Sequence, residues 1–289
     1  MTFRDNFPPP DDHIIRIDVR PATKADVDAF IAQLLDADWN SLDSPILLAD
    51  GLSLDDVKHV LFFDQARQFL RLMDENKGAP LTATGNLNRA YVAQMMEKMD
   101  WPRRLMERLL KGGLFKVVSE DDVLPLSVIH GVCEYGKLII QRKSRASVTS
   151  KGRELCADEQ AGRLYRRLFL TLFRNFDLSY LSMFHHTPLV QDTMAVILWR
   201  LQLVANDWVA LSELPKEVFL NSVREQVRAA SIWPEVEPDV LRSEVLRPLL
   251  WFGLLECDHT DDEYHGPDVV LKYRKTPLFD RFLTFNYLP

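Results

Sequence analysis

Apolar residues recur every three or four positions through most of this chain and alternate only in short runs. The clearest case is Val190, Met194, Ile197, Leu201 and Val204, a 4-3-4-3 spacing that predicts an amphipathic helix over Pro188 to Ala205. Phe62, Ala66, Phe69 and Met73 repeat it behind Ser53-x-x-Asp56, a variant capping box, and Asn76-Lys77-Gly78 ends that helix. Leu87, Tyr91, Met95 and Met99 form the next stripe, broken by Trp101-Pro102. A shorter helix over Arg103–Leu110 follows and stops at Gly112-Gly113. Leu126, Ile129 and Cys133 share a face of a helix capped by Asp121 or Asp122 and closed by Gly136. Thr149 or Ser150 opens a helix reaching about Phe176, with Tyr165, Phe169, Leu172 and Phe176 inward. Strands are expected at Ile14–Val19, Leu138–Arg142, Arg145–Thr149, Leu254–Cys257 and Val269–Arg274, and a helix near Lys24–Ala37.

One order of elements occurs twice. An apolar helix, a glycine, a two-stranded hairpin, a threonine and a new helix run through 123–155 and again through 239–282. The string Val128 to Leu155, VIHGVCEYGKLIIQRKSRASVTSKGREL, resembles the second half of a winged-helix domain, and Val245 to Phe282 is a degenerate echo of it. The resemblance is to tandem winged-helix proteins, including uncharacterised bacterial ones. It implies a mostly α-helical fold with short β-hairpins, two winged-helix-like units joined by a helical segment, and DNA binding. The expected division is 1–78 (strand and helix), 79–155 (first unit), 156–205 (helical connector) and 206–289 (second unit). A second, shorter likeness, of VRPATKADVDAFIAQLL to the opening of GNAT acetyltransferases, lacks their glycine-rich cofactor loop and implies no activity.

Composition changes this picture little, but charge changes it more. The 289 residues are 47% hydrophobic, enough for substantial cores. The net charge of −7 opposes nucleic-acid binding, yet it is unevenly spread: 1–101 carry −7, 102–175 carry +7 and 176–289 carry −7. A basic centre between acidic flanks can present one positive face. Its first hairpin gathers Lys137, Arg142, Lys143, Arg145, Lys151 and Arg153, the donor types that meet DNA phosphates. On the preceding helix Ser127 and His130 are the central polar residues and the candidates to face a groove. That helix carries no Lys or Arg, which argues against base-specific readout. A further basic group, Arg163, Arg166, Arg167 and Arg174, lies on the helix after the hairpin. There Glu159 is placed to pair with Arg163 and Asp177 with Arg174. The alternative function is a protein-interaction or self-associating scaffold, favoured by the acidic second hairpin. An enzyme of unrecognised type comes third.

Other chemistry is weakly signalled. His259, Asp261, Asp262, Glu263 and His265 fall in one loop without a metal-ligand spacing, and His185-His186 lack a carboxylate partner. No Walker loop, GxGxxG, HExxH or GxSxG is present, so no catalytic residue, metal or cofactor is assigned. Three cysteines, Cys133, Cys156 and Cys257, without CxxC fit a reducing compartment and inert thiols. With no signal-like or membrane-spanning stretch, the expectation is a cytoplasmic protein without membrane contact.

Overall fold

A computed structural model describes residues 23–99, 118–182, 189–231, 236–259 and 270–287. The expected strand at Ile14–Val19, the short helix at Arg103–Leu110, His185-His186 and most of the acidic loop lie outside these residues. In chain order the elements are α1 (Lys24–Leu35), β1 (Ile46–Leu48), α2 (Leu54–Val57), α3 (Leu61–Glu75), β2 (Ala79–Pro80) and α4 (Arg89–Lys98). After a single turn at Glu120–Asp122 come α5 (Leu124–Tyr135), β3 (Ile139–Arg142), β4 (Arg145–Val148), α6 (Ser150–Leu155) and α7 (Ala161–Arg174). The remainder is α8 (Leu189–Asp192), α9 (Met194–Val204), β5 (Val209–Ala210), α10 (Leu214–Val218) and α11 (Asn221–Ala229), then α12 (Val236–Leu241) and α13 (Arg247–Trp251) joined by a π turn, and finally β6 (Leu255–Cys257), β7 (Lys272–Lys275), α14 (Pro277–Phe282) and β8 (Leu283–Phe285). The protein is mostly helical, with small antiparallel sheets.

Two of those sheets have the same wiring. β2-β4-β3 and β5-β7-β6 each place a short strand that follows a helix beside the second strand of a later hairpin. α3 leads into the first sheet as α9 leads into the second, so each repeat extends upstream of residues 79 and 206. A third sheet pairs β1 with β8, Ile46 opposite Phe285, and so closes the C-terminal segment onto the N-terminal one.

α7 sits between the repeats because its apolar residues occupy most of its circumference: Leu164, Tyr165, Leu168, Phe169, Leu172 and Phe173 are all buried. Phe169 lies 5.4 Å from Phe252 and 4.9 Å from Phe282, edge-on to both. The Tyr165 hydroxyl donates to the Phe252 carbonyl at 2.7 Å. Each such ring removed from water contributes about 1.5–3 kcal/mol, so this cluster joins the repeats into one core.

Three helices depart from the spacing, and two of them break where a side chain intervenes. The run expected from Thr149 to Phe176 stops at Leu155, where Arg67 of α3 donates to the freed Cys156 carbonyl at 3.0 Å and also binds Asp158. The Pro188–Ala205 helix is interrupted at Thr193, whose hydroxyl bonds back to Leu189 O at 2.7 Å. The Asp239–Phe252 helix instead starts at Val236 and carries the π turn at Arg242–Leu246.

Candidate nucleic-acid interface

The first hairpin is held at its base by backbone groups and by Thr149. Leu138 N donates to Cys133 O at 2.8 Å and Thr149 N to Leu138 O at 2.9 Å. The Thr149 hydroxyl donates to Lys137 O at 2.9 Å and accepts from Gly152 N at 3.0 Å, capping α6. Gly152 is required there, since a Cβ would lie 2.2 Å from the Leu138 carbonyl. Gly136 ends α5 in an ordinary right-handed conformation; its neighbour Lys137 takes the left-handed turn at φ 57°. Gly136 is small for another reason: a Cβ would meet Val132 O at 2.7 Å and the Thr171 hydroxyl at 3.1 Å, as α7 passes close by.

At the tip, Lys143 has φ 55° and Ser144 does not share it, the φ pattern of a type II′ turn. Arg142 stands directly opposite Arg145 across the strands. Among the described residues neither the Arg142 nor the Lys143 side chain has a hydrogen-bond or ion-pair partner, and both are exposed. Arg145 is anchored: Nε donates to Lys77 O at 3.0 Å, and Nη2 to Asn76 O at 3.2 Å and Gly78 O at 3.0 Å. It caps the C-terminus of α3, where a cation opposes the helix dipole.

The other expected contacts divide. Lys137 is exposed at the base of the hairpin, away from the tip. Lys151 pairs with Glu154 at 3.0 Å and Arg153 with Asp74 at 2.8 Å, both exposed pairs that water and salt weaken. The groove-facing role expected of His130 is corrected by its burial. Its Nδ1 lies 2.7 Å from Glu120 Oε1, and the other oxygen of that buried carboxylate accepts from Leu87 N. Glu120 thus needs two partners inside the protein, and His130 is one of them. Ser127 is half-buried and donates to Glu120 O at 2.8 Å, so it too faces the helix start.

The basic group on α7 is committed to structure. Arg166 donates to Trp39 O at 3.1 Å and Arg167 to Gly136 O at 3.0 Å. Arg174 lies 5.3 Å above the Trp39 ring in place of the expected Asp177 pair. Arg163 bonds Gln160 Oε1 at 2.8 Å, with Glu154 at 3.8 Å. Burial pushes the Cys133 and Cys156 thiols up, which disfavours reactive thiolates. No metal-holding group of His, Cys, Asp or Glu occurs among the described residues, and none of their helices is long and apolar enough to cross a membrane.

Tyr91 and Asn76 escape a reading of the sequence. Tyr91 belongs to the predicted core stripe and is buried as that implies, but its hydroxyl and the Asn76 amide nitrogen make no well-formed hydrogen bond to any protein group. Only a phenol among aliphatic stripe positions hints at this from sequence.

Residues 58–162 match the family described as Y4jL N-terminal domain, a span that runs from just before α3 to the first turn of α7 and so contains the whole first repeat. A stretch of 84 residues, 29% of this chain, is 32% identical to the uncharacterized protein y4jL of Sinorhizobium fredii (strain NBRC 101917 / NGR234). That stretch covers 37% of the relative's length. No solved structure matches.

Proposed function

We propose that this is a nucleic-acid-binding accessory protein whose repeats act as winged-helix-like units and whose first hairpin contacts DNA phosphates. The observation that carries this reading is the tip: Arg142 faces Arg145 directly across the strands, with Lys143 beside them and no carboxylate in reach among the described residues. Like charges opposite one another cost stability, and an anion seated between them removes that cost. Phosphates suit the site, because Arg and Lys release counterions on binding them. The contact is tolerant of sequence, since α5 offers no Lys or Arg and His130 is spent on Glu120.

A protein-interaction or self-association role has one observation in its favour. Ile140 (42% exposed) and Tyr135 (60% exposed) flank the Glu134–Gln141 hydrogen bond that joins α5 to the hairpin. Titrating random duplex at several salt concentrations separates the two. Nucleic-acid binding predicts a log–log slope that flattens by about 0.9 for each phosphate no longer held when Arg142, Lys143 and Arg145 become Ala. Unchanged affinity in a folded triple variant removes the hairpin from the mechanism and leaves the scaffold reading.

A further inference from the structure

We propose that the cavity between the C-terminus of α3, β2 and the first turn of α4 is a phosphate-binding pocket. It is an open depression of about 340 Å³, and no carboxylate lines it among the described residues. Several donors line it. Arg145 has Nε and Nη2 fixed by three backbone carbonyls, which orients the guanidinium and leaves Nη1 uncommitted. Tyr91 is 4% exposed, and its hydroxyl and the buried Asn76 Nδ2 lie near each other with no well-formed hydrogen bond to any protein group. Burial pushes the Tyr91 phenol up to about 12, against the opposing pull of Asn76 and Arg145, so it stays a neutral donor at ordinary pH. α4 is ten residues long and contributes its positive end. Asn88 takes only Tyr91 N with its side chain and Val92 N with its carbonyl, which leaves the first-turn N–H groups of Arg89 and Ala90 outside the helix ladder.

Donors reach this pocket from three elements. A tetrahedral oxyanion can accept from all of them at once, whereas a planar carboxylate presents only two oxygens. The second repeat is different at the matching places: Leu220 precedes α11 without a side-chain cap, and Val223 occupies the position of Tyr91. The pocket needs neither Arg142 nor Lys143 of the hairpin tip, and inorganic phosphate alone is enough to probe it.

The experiment titrates the full chain with inorganic phosphate at constant ionic strength, following backbone amide shifts and thermal unfolding, with chloride as control. Saturable shifts centred on Ala90, Tyr91 and Arg145 are expected. Tyr91→Phe should keep the fold and weaken binding about 2- to 10-fold, the effect of one hydrogen bond. Asn76→Asp, which brings a carboxylate to the pocket, should weaken it at least about tenfold. Arg142→Ala with Lys143→Ala should leave phosphate binding unchanged, whatever becomes of the hairpin reading. Competition then identifies the source. Displacement by duplex DNA points to a backbone phosphate, and displacement by a mononucleotide but not by duplex points to a small phosphorylated ligand. Absence of saturable binding to the folded protein, or binding unaffected by both Tyr91→Phe and Asn76→Asp, overturns the proposal.

Discussion

The two repeats use the same backbone hydrogen bonds and different surface chemistry. In the first, Leu138 N bonds Cys133 O and Thr149 closes the hairpin base; in the second, Leu254 N bonds Leu249 O and the Thr276 hydroxyl donates to Gly253 O at 2.6 Å. The left-handed turn before the first hairpin strand falls on Lys137 in one and Gly253 in the other, at φ 57° and 65°. Each repeat also ties the start of its third helix to its second helix or the segment before it, through Glu120 to Leu87 N and through Glu237 to Arg224 and Arg228. The hairpins then diverge. At the places of Arg142 and Arg145 the second hairpin has Asp258 and Lys272, an acid facing a base. Nearer its base, where the first hairpin has Ile140 opposite Ser147, Glu256 faces Arg274 and binds it at 2.7–2.8 Å, with Arg274 also 4.5 Å above Trp208. The positions that satisfy backbone groups are held in common, and the positions that meet solvent are free to differ. In the second repeat Glu256 and Arg274 neutralise each other, whereas the Arg142 and Lys143 side chains of the first have no partner among the described residues.

The largest expected effect tests whether these are two halves of one core. Phe169→Ala removes a ring that touches Phe252 and Phe282 of the second repeat from a helix that also packs on α3 and α5 of the first. It should cost about 3–5 kcal/mol, and both repeats should unfold in a single transition. Two separate transitions, one unshifted, would mean that the repeats are independent and that the comparison is between domains.

Next is the contrast between the two acids. Glu120→Ala leaves Leu87 N and His130 Nδ1 without their partner in a site that is 4% exposed, at a cost of about 2–3 kcal/mol. Glu237→Ala releases Arg228, 54% exposed, to water and leaves only Arg224 partly enclosed, so its cost should be nearer 1 kcal/mol. Denaturant midpoints of the two variants measure the difference, and a reversed order would refute this account of the two ties.

The left-handed positions give a smaller pair of effects with opposite signs. Gly253→Ala should destabilise by about 1 kcal/mol, from positive φ and a Cβ that would meet Val60 at 3.2 Å. Lys137→Gly should stabilise by less than about 1 kcal/mol. Equal signs in thermal unfolding would show that the two turns are not equivalent.

These pairs also mark what was legible in the chain. The hairpins, α5, α9 and the inward stripe of α7 follow from spacing, because a periodic apolar face reports its own burial. Helix ends were less legible. The stop at Cys156 depends on Arg67, 89 residues away, and the small size of Gly136 depends on the passage of α7. The basic hairpin was visible as composition. Which of its charges are committed was not, since Arg145 spends its donors on carbonyls of α3 and Arg153 on Asp74. His130 looked like a surface residue because its partner Glu120 lies ten positions away and across a turn.

The smallest effect on stability bears most directly on the hairpins. Arg142→Glu would give the first hairpin the charge arrangement that the second has at the matching pair, Asp258 and Lys272, an acid facing a basic residue across the strands. A like-charge pair becomes an opposite-charge pair, which should raise stability by about 0.2–1 kcal/mol. The gain stays small because both side chains are exposed and salt screens them. The same substitution should weaken duplex binding more than Arg142→Ala does, since it repels phosphate as well as failing to attract it, and the weakening should fade as salt rises. Stability and affinity thus move in opposite directions. A variant that is both less stable and equally able to bind DNA would show that Arg142 is held by a structural contact and that the two hairpins do not differ in the way proposed.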